Sequence, residues 1–271
     1  MVRRGLVDSR SEAQVAIDAS KVTVGGSIAD KAARQVSPAE PIELLAPPRK
    51  FVGRGGDKLD PALDAFGVDV TAKRCLDIGA STGGFSDCLL SRGAERVYAV
   101  DVGHGQLHQK LRDDERVVVH ERLNARELRL EHVENSPVDI VVADVSFISL
   151  RLVNPAAMGA MDHDAEVVYL IKPQFEARKD QVGKGGVVSD PAIWAKVISK
   201  LLGTFSAQNL YMVGIDVSPI RGAAGNVEFF ANLRKNEPSG RLHTRDIEEF
   251  VASVAESPPG AGRSDEEMND E

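Results

Sequence analysis

Short apolar runs alternate with helical patterns through most of this 271-residue chain, and this alternation restricts the fold more than any other feature. Most runs are rich in Val and Ile and are bounded by Gly, Asp, Pro or Asn, as buried strands are. Strands are predicted over 74–78, 96–101, 117–121, 138–143, 166–171, 210–217 and 227–233. Helices are predicted over 57–66, 85–91, 106–112, 148–159 and 191–205. This order predicts an α/β domain with a doubly wound, mainly parallel sheet. The last two strands, joined only by residues 218–226, are expected to pair antiparallel.

Two proline-containing seams divide the chain. One lies at Pro47 and Pro48, and the other spans 257–260. We therefore expect a small α+β domain over 1–46, a linker over 47–52, a large domain over 53–256 and a tail over 257–271. Five acidic residues and one arginine give the tail −4 of the formal net charge of −8, so we expect it to be acidic and disordered. Binding to a nucleic acid would then depend on local basic patches.

Two classes of protein are disfavoured by composition. No apolar run approaches the ~20 residues that a membrane helix needs, and the N-terminus lacks the apolar core of a signal peptide. We therefore expect a cytoplasmic protein. Cys75 and Cys88 are the only cysteines, too few for a four-ligand zinc site, and no histidine pair stands at ligand spacing. Both are expected to be buried thiols, and no metal site is expected.

A glycine-rich turn follows the first strand of the large domain and opens a helix. It reads D-x-G-x-x-x-G-G over residues 77–84, whereas a dinucleotide-binding turn reads G-x-G-x-x-G. Asp77 stands at the end of the first strand, where a carboxylate suits a cationic amino-acid group better than a pyrophosphate. Asp101 ends the second strand, the place for a carboxylate on ribose hydroxyls, and Asn124 follows the third, where it could read an adenine edge. Together these features favour S-adenosylmethionine as the cofactor, although each acid alone could be a turn or cap residue.

Four charged residues stand where this fold would direct them to one cleft. Lys58 begins the helix before the first strand, Asp144 ends the fourth strand, Lys172 ends the fifth and Glu228 lies within the last. Ligands of open α/β sheets bind at the carboxyl ends of the strands. A lysine directly after five apolar residues, as Lys172 is, should be partly desolvated, which favours the neutral amine that can act as a base. Taken singly, Asp144 could cap a helix, Lys172 could extend to solvent and Glu228 could face solvent.

These motifs resemble those of known RNA methyltransferases. The order Lys58, Asp144, Lys172, Glu228 is similar to the Lys-Asp-Lys-Glu tetrad of FtsJ-like ribose 2′-O-methyltransferases. The closer resemblance is to the TlyA family of bacterial rRNA methyltransferases, also called hemolysins. It rests on the stretches VGRGGDKL, CLDIGASTGGF, AVDVGHGQL, ADVSFISL, IKPQFE, VGKGGVV and SPIRGAAGNVEFF.

The resemblance, which extends to about residue 256, implies a class I S-adenosylmethionine-dependent methyltransferase fold with a seven-stranded sheet. It also implies 2′-O-methylation of cytidines in ribosomal RNA or ribosomal subunits. The tetrad would be catalytic, with Lys172 as the base, although coupled groups leave the identity of the base open. The cofactor would contact Asp77, Gly79, Ala80, Ser81, Thr82, Gly83, Gly84, Phe85, Asp101, Asn124 and Asp144.

The first 46 residues resemble the small S4 RNA-binding domain. A helix is predicted from Arg10 to Ala19 with Ser9 as its cap, followed by a hairpin that turns at Gly25 and Gly26. The domain's pattern usually begins with several more residues, so either the first helix is truncated or the start codon is assigned too late. Phosphate contacts are expected from Arg3, Arg4, Arg10 and Lys21. Further RNA contacts are expected from the loop over 176–189, through Arg178, Lys179 and Lys184.

Three alternatives stay open at this point. A methyltransferase of the same fold could act on a base or a small molecule, but the residues after the fourth strand, Asp144 to Phe147, do not form a base-methylation motif. A membrane-active hemolysin would need an apolar or basic amphipathic segment, and the best candidate, 246–254, is short and acidic. A non-catalytic RNA-binding module would not need an intact tetrad.

Overall fold

The computed structural model describes residues 1–4, 6–7, 10–18, 20–29, 31–45, 50–235, 238, 240–257 and 259. The chain divides into two compact units, with the boundary between Lys50 and Phe51. The predicted helix cap Ser9, residues 47–49 of the predicted linker and nearly all of the acidic tail lie outside the described residues.

The small unit is an α+β fold. A short 3-10 helix (Val2–Arg4) and helix α1 (Arg10–Asp18) precede strands β1 (Val22–Val24), β2 (Ser27–Ile28) and β3 (Ile42–Leu44). The strands form an antiparallel sheet in the order β2-β1-β3. Gly25 and Gly26 have φ of 60° and 80°, which confirms the predicted hairpin, because a turn with two positive φ angles favours glycine. Ile17, Val22, Val24 and Ala29 form its small core.

The large unit is built on a seven-stranded sheet in the order β6-β5-β4-β7-β8-β10-β9. Its strands are β4 (Arg74–Ile78), β5 (Arg96–Asp101), β6 (Val117–Glu121), β7 (Val138–Ala143), β8 (Met161–Ile171), β9 (Leu210–Val217) and β10 (Phe229–Lys235). The pairs from β6 to β8 are parallel, and β10 runs antiparallel to both of its neighbours. The predicted doubly wound sheet and its antiparallel last pair are therefore confirmed.

Helices cover both faces of this sheet. They are α2 (Arg54–Phe66), α3 (Gly84–Ser91), α4 (Gln109–Arg112), α5 (Leu150–Ala160), α6 (Pro173–Glu176), α7 (Pro191–Ser206) and α8 (Thr244–Glu256). The strands alternate the side chains that they present, so Leu76 and Tyr98 pack into one apolar layer while Cys75 and Val97 pack into the other.

The structure corrects several predicted boundaries. Helix α4 begins three residues later than predicted because the His108 side chain accepts a hydrogen bond from the Lys110 amide and caps the helix there. Strand β10 begins at Phe229, two residues later than predicted. The reason is a turn over residues 222–226, in which the Gly222 amide donates a hydrogen bond to the Asn226 carbonyl. The short amphipathic stretch at 246–254 belongs to the longer helix α8, whose apolar face is buried through Ile247, Val251 and Val254.

Candidate active site

The register of the sheet brings two members of the tetrad together. Phe229 of β10 pairs with Ile171 of β8, so Lys172 and Glu228 flank the same rung at the carboxyl end of β8. Glu228 therefore lies just before strand β10, whereas the sequence predicted it within that strand. Asp144 follows the neighbouring strand β7, and its amide donates to the Ile78 carbonyl over 2.9 Å. That bond places Asp144 beside the glycine-rich turn that begins at Gly79.

Glycines bring Lys58 to the same place. Helix α2 starts at Arg54, so Lys58 lies more than a turn inside the helix, whereas the sequence predicted it at the start. The beginning of α2 packs against the beginning of α3 so closely that a Cβ on Gly84 would lie 2.9 Å from the Gly56 amide nitrogen. A Cβ on Gly56 would lie 2.3 Å from the Phe51 ring. The glycines of VGRGGDKL thus permit close packing of backbone, and this packing positions Lys58.

The tetrad is assembled as two ion pairs of different exposure. Lys58 Nζ lies 2.6 Å from Glu228 Oε2, and the two side chains are only 8% and 2% exposed. Lys172 Nζ contacts Asp144 Oδ1 and also donates to Ser146 Oγ over 3.1 Å. The Lys172 and Asp144 side chains are more exposed, at 12% and 21%. One pair is therefore enclosed, whereas the other can meet solvent and substrate.

The glycine-rich turn has the backbone shape that close approach to a ligand requires. Gly79, Ser81 and Gly83 all have positive φ angles, and a Cβ on Gly79 would lie 2.5 Å from the Asp144 carbonyl oxygen. The Ser81 amide donates to Asp101 Oδ2 over 2.7 Å, which brings the end of β5 to the turn. The sequence-predicted loop and Asp101 are therefore neighbours, directly beside the tetrad residue Asp144.

Asp77 presents a buried carboxylate without a full set of partners. Its Oδ2 accepts a hydrogen bond of 2.7 Å from Ser86 Oγ, whereas Oδ1 is buried and has no hydrogen-bond partner among the described residues. Burial raises the pKa of the Asp77 carboxyl to about 7, and the bond from Ser86 partly opposes this shift. A buried acceptor with spare capacity beside a glycine turn fits a ligand that brings its own hydrogen-bond donors or positive charge.

The other predicted cofactor residues have diverse surroundings. Phe85 is buried and packs against Phe230, with 6.1 Å between ring centroids, so its side chain contributes to the core. Asn124 Oδ1 accepts from the Arg126 amide over 3.1 Å and caps a 3-10 helix (Ala125–Glu127). Ala80 is buried, while Thr82 is exposed on the turn. Their contacts with a cofactor remain predictions.

An exposed aromatic ring lies next to the Lys172–Asp144 ion pair, which we call the open ion pair because it is the more exposed of the two. Phe147 is 91% exposed and has a positive φ of 63°, which non-glycine residues rarely adopt. Its ring lies 4.9 Å from that of Phe175, which follows Lys172 by three residues. The sequence did not indicate Ser146 and Phe147 as site residues, although both lie in the stretch ADVSFISL. Side-chain exposure and backbone strain depend on the tertiary structure.

Two further buried polar residues hold the segments around the tetrad. Glu176, the last residue of α6, accepts hydrogen bonds from Ser149 Oγ and from the Leu150 amide. Both donors lie at the start of helix α5. Asn226 accepts from the Val188 amide and donates to the Gly186 carbonyl, both over 2.9 Å. Neither was predicted as a functional residue, since a single Glu or Asn in a motif carries no sign of such long-range partners.

The predicted RNA-binding cations occupy two separate segments. Arg178, Lys179 and Lys184 are exposed on the loop after α6, which contains 3-10 helices Lys179–Gln181 and Lys184–Gly186. Arg178 Nε donates to Asp180 Oδ1 over 3.1 Å. In the small unit, Arg3, Arg10 and Lys21 are exposed. Arg4 differs because its guanidinium donates to the carbonyls of Ser37, Pro38 and Glu40.

Comparisons with known proteins agree with this arrangement. Residues 51–235 match the family model of FtsJ-like methyltransferases, and residues 1–42 match that of the S4 domain. The 16S/23S rRNA (cytidine-2′-O)-methyltransferase TlyA of Mycobacterium tuberculosis is 46% identical over 260 residues, which cover 95% of this chain and 96% of the relative. Hemolysin A of Brachyspira hyodysenteriae is 42% identical over 229 residues, covering 84% of this chain and 95% of the relative.

A solved structure that bears a hemolysin name, from Streptococcus thermophilus, superimposes with a TM-score of 0.78 at 37% identity. It covers 94% of this chain, and this chain covers 93% of it. Among the residues that the structure describes, no helix is both long and apolar enough to cross a membrane. On the evidence of the family model, the tetrad and the extent of the match, the chain is an FtsJ-like methyltransferase and belongs to the TlyA family.

Proposed function

We propose that this enzyme transfers a methyl group from S-adenosylmethionine to the ribose 2′-hydroxyl of a cytidine in ribosomal RNA. The observation that carries the proposal is the pair of Lys–acid contacts at the strand ends, beside a glycine turn and a buried acid. The name of the Mycobacterium tuberculosis relative supports the same substrate. A ribosomal substrate would place the enzyme's action in the cytoplasm.

The residues around the glycine turn suit the cofactor. When bound, S-adenosylmethionine supplies an electrophilic methyl carbon on a sulfonium. Asp77 would hold its cationic amino-acid portion, since its buried Oδ1 can accept further hydrogen bonds. Asp101 would accept from the ribose hydroxyls, because a carboxylate at the end of the second strand of such a fold serves that purpose.

Lys172 is the lysine best placed to take a proton. The substrate 2′-hydroxyl must lose its proton as its oxygen bonds to the methyl carbon and the bond from that carbon to sulfur breaks, leaving a neutral thioether. The neutral amine of Lys172 would accept that proton. Its ammonium would then pass the proton to solvent, which reaches the Lys172–Asp144 pair through the 21% exposed Asp144 side chain, whereas Glu228, the partner of Lys58, is only 2% exposed. Asp144 and Ser146 would orient the amine during the transfer. Much of the rate would come from holding the hydroxyl in line with the methyl group.

The surface around the open ion pair suits a nucleotide. The exposed Phe147 ring offers a face on which an unstacked base can lie, a contact worth about 1–3 kcal/mol per base in single-stranded RNA recognition. The cations of the neighbouring loop and of the S4-type unit would contact phosphates. An enclosed pocket for a small molecule would not need an exposed ring of this kind.

Methylation of purified ribosomal subunits with labelled cofactor tests the proposal. We expect label in RNA, with digestion yielding 2′-O-methylcytidine. Lys172→Ala should abolish transfer while cofactor affinity stays near that of the wild type, and Lys172→Arg should serve as the charge-matched control without a usable base. Label on a base would show that the reaction class is wrong. Tight subunit binding without any transfer would identify a non-catalytic RNA-binding protein.

A further inference from the structure

The loop between β7 and α5, residues 144–149, carries three groups of the proposed site. Asp144 and Ser146 contact Lys172, and Phe147 presents its exposed ring. This loop contains a strained residue, since Phe147 has a positive φ. Backbone strain of this kind persists only when the surroundings hold the segment in place. The structure must therefore supply an anchor that fixes the loop.

We infer that Glu176 is a positioning residue for methyl transfer, whose buried carboxylate fastens the end of this loop to the segment that carries Lys172. Glu176 ends α6, four residues after Lys172, and its side chain is only 4% exposed. Its Oε1 accepts from the Leu150 amide over 2.7 Å, and its Oε2 accepts from Ser149 Oγ. The inference rests on the proposed function of the neighbouring tetrad.

The carboxylate acts where helix α5 begins. Ser149 is the cap of that helix and Leu150 its first residue, whose amide has no partner within the helix. A negative charge is also favourable at a helix N-terminus. Arg151 donates to Ser149 Oγ over 3.1 Å and lies 3.9 Å from Glu176 Oε2, which completes the cluster.

The loop is thus attached at both ends to one short segment. Lys172 holds its beginning through Asp144 and Ser146, and Glu176 holds its end through Ser149 and Leu150. Phe175, between these two residues, supports the Phe147 ring. A shift of the loop would therefore move Asp144 and Phe147 relative to Lys172. Glu176 touches none of the reacting groups, so its effect on catalysis would pass through the loop.

The test compares Glu176→Ala with Glu176→Gln in the full chain. Burial raises the pKa of the Glu176 carboxyl, although the bonds from Ser149 and Leu150 oppose this shift. Glutamine keeps the size and shape of the side chain without its charge. The Gln oxygen can still accept from the Leu150 amide. We expect Glu176→Ala to lower kcat on ribosomal subunits by about 10- to 100-fold, the scale of a misplaced reacting group, and to leave cofactor affinity unchanged. Glu176→Gln should recover most of the turnover.

A variant in the same helix serves as the matched control. Asn154 of α5 is buried and bonds to Tyr169 and Gln208, away from the loop. Asn154→Ala should lower Tm but leave kcat near wild type at temperatures where the protein is folded. An equal loss of kcat in both alanine variants would overturn the inference, because the effect would then be one of general stability.

Hydrogen exchange provides a readout that does not depend on activity. Amides 146–150 should exchange faster in Glu176→Ala than in the wild type or in Glu176→Gln, while the amides of Asn154 and of residues 156–160 should keep their wild-type rates. Unchanged exchange at 146–150 would overturn the inference. If the wild type methylated no RNA, the proposed function would fail, and the exchange comparison would still decide whether Glu176 holds the loop. If Glu176→Ala did not fold, Ser149→Ala would replace it, with the same two readouts.

Discussion

Lys58 Nζ and Glu228 Oε2 lie 2.6 Å apart although 170 residues separate them in the sequence. Both side chains are almost completely buried. Removing one partner of such a pair leaves a buried charge without compensation, which costs about 3–5 kcal/mol, whereas replacing both with apolar groups costs far less. The Lys58–Glu228 pair should therefore affect both the stability of the fold and methyl transfer. Single and double substitutions can separate these two effects.

We expect Lys58→Ala to lower the free energy of unfolding by about 3–5 kcal/mol and to abolish methyl transfer. The double variant Lys58→Met, Glu228→Leu should recover most of the stability but none of the activity. Urea denaturation, with methyl transfer measured in parallel, checks both statements. A double variant as unstable as the single one would show that packing, and not the unpaired charge, accounts for the loss.

The pH dependence of cofactor binding should reflect Asp77. Its pKa, ordinarily 3.8, is raised by burial to about 7. A cationic ligand pairs with the ionised carboxylate, so affinity for S-adenosylmethionine should fall as the pH drops from about 8 to 6. Asp77→Asn should bind the cofactor more weakly, by about 1–3 kcal/mol at pH 8, and should lose this pH trend. Titration calorimetry measures both effects.

Asp101→Asn is the matched control, since it should also weaken binding but keep the wild-type pH trend. Stability gives a second readout. Between about pH 4 and 7 the unfolded chain ionises Asp77 while the folded protein keeps it protonated, so the native state loses stability as the pH rises through this range. Asp77→Asn should therefore gain stability relative to the wild type above pH 7. Unchanged affinity in both variants would mean that the cofactor binds elsewhere.

The strands of the large unit could be predicted from the sequence because their signal is local. Five of them, 74–78, 96–101, 117–121, 138–143 and 210–217, begin and end where predicted, since Val- and Ile-rich runs stop at Gly, Asp or other polar residues. Strand β8 is longer than predicted because its first residues, such as Asp162 and His163, are exposed and polar and carry no apolar pattern.

The site was predictable only to the level of which residues meet. Strand ends are known from the pattern, and the topology of the fold then brings Asp144, Lys172 and Glu228 to one edge. The pairing within the tetrad, Lys58 with Glu228 and Lys172 with Asp144, depends on the register of β8 with β10 and on glycine packing of α2. No local pattern encodes these distances, and none marks Glu176 or Asn226 as anchors.

Asn226 should control the order of the basic loop over 176–189. Its side chain holds the loop through Gly186 and Val188. We expect Asn226→Ala to speed hydrogen exchange at the Val188 amide and to raise KM for ribosomal subunits, because RNA would have to order the freed loop. In the wild type, exchange between residues 178 and 187 should slow when RNA binds.

Lys179→Gln separates charge from anchoring in the same loop. It should reduce the salt slope of RNA binding by about 1 and leave exchange at Val188 unchanged, since one phosphate contact accounts for about one unit of slope. Asn226→Ala should show the converse. Equally strong protection of the loop with and without RNA would contradict its proposed role in binding.

The last prediction concerns the division of labour between the two units. Deleting residues 1–46 should weaken binding to ribosomal subunits and flatten its salt dependence, because phosphate contacts give affinity that falls steeply with salt. Cofactor binding should stay intact, since the glycine turn and the tetrad lie outside the deleted segment, and slow methylation should persist at high RNA concentration.

In the full chain, the triple variant Arg3→Gln, Arg10→Gln, Lys21→Gln should reproduce the flatter salt dependence with no change in fold. Arg4→Gln is the contrasting variant: its guanidinium is bonded to the carbonyls of the loop at 37–40, so its loss should lower the stability of the small unit more than it changes the salt slope. If the truncated protein and the triple variant both bound subunits as tightly as the wild type across a salt titration, the S4-type unit would have no part in recognition. RNA affinity would then have to come from the basic loop beside Lys172 and the exposed ring of Phe147.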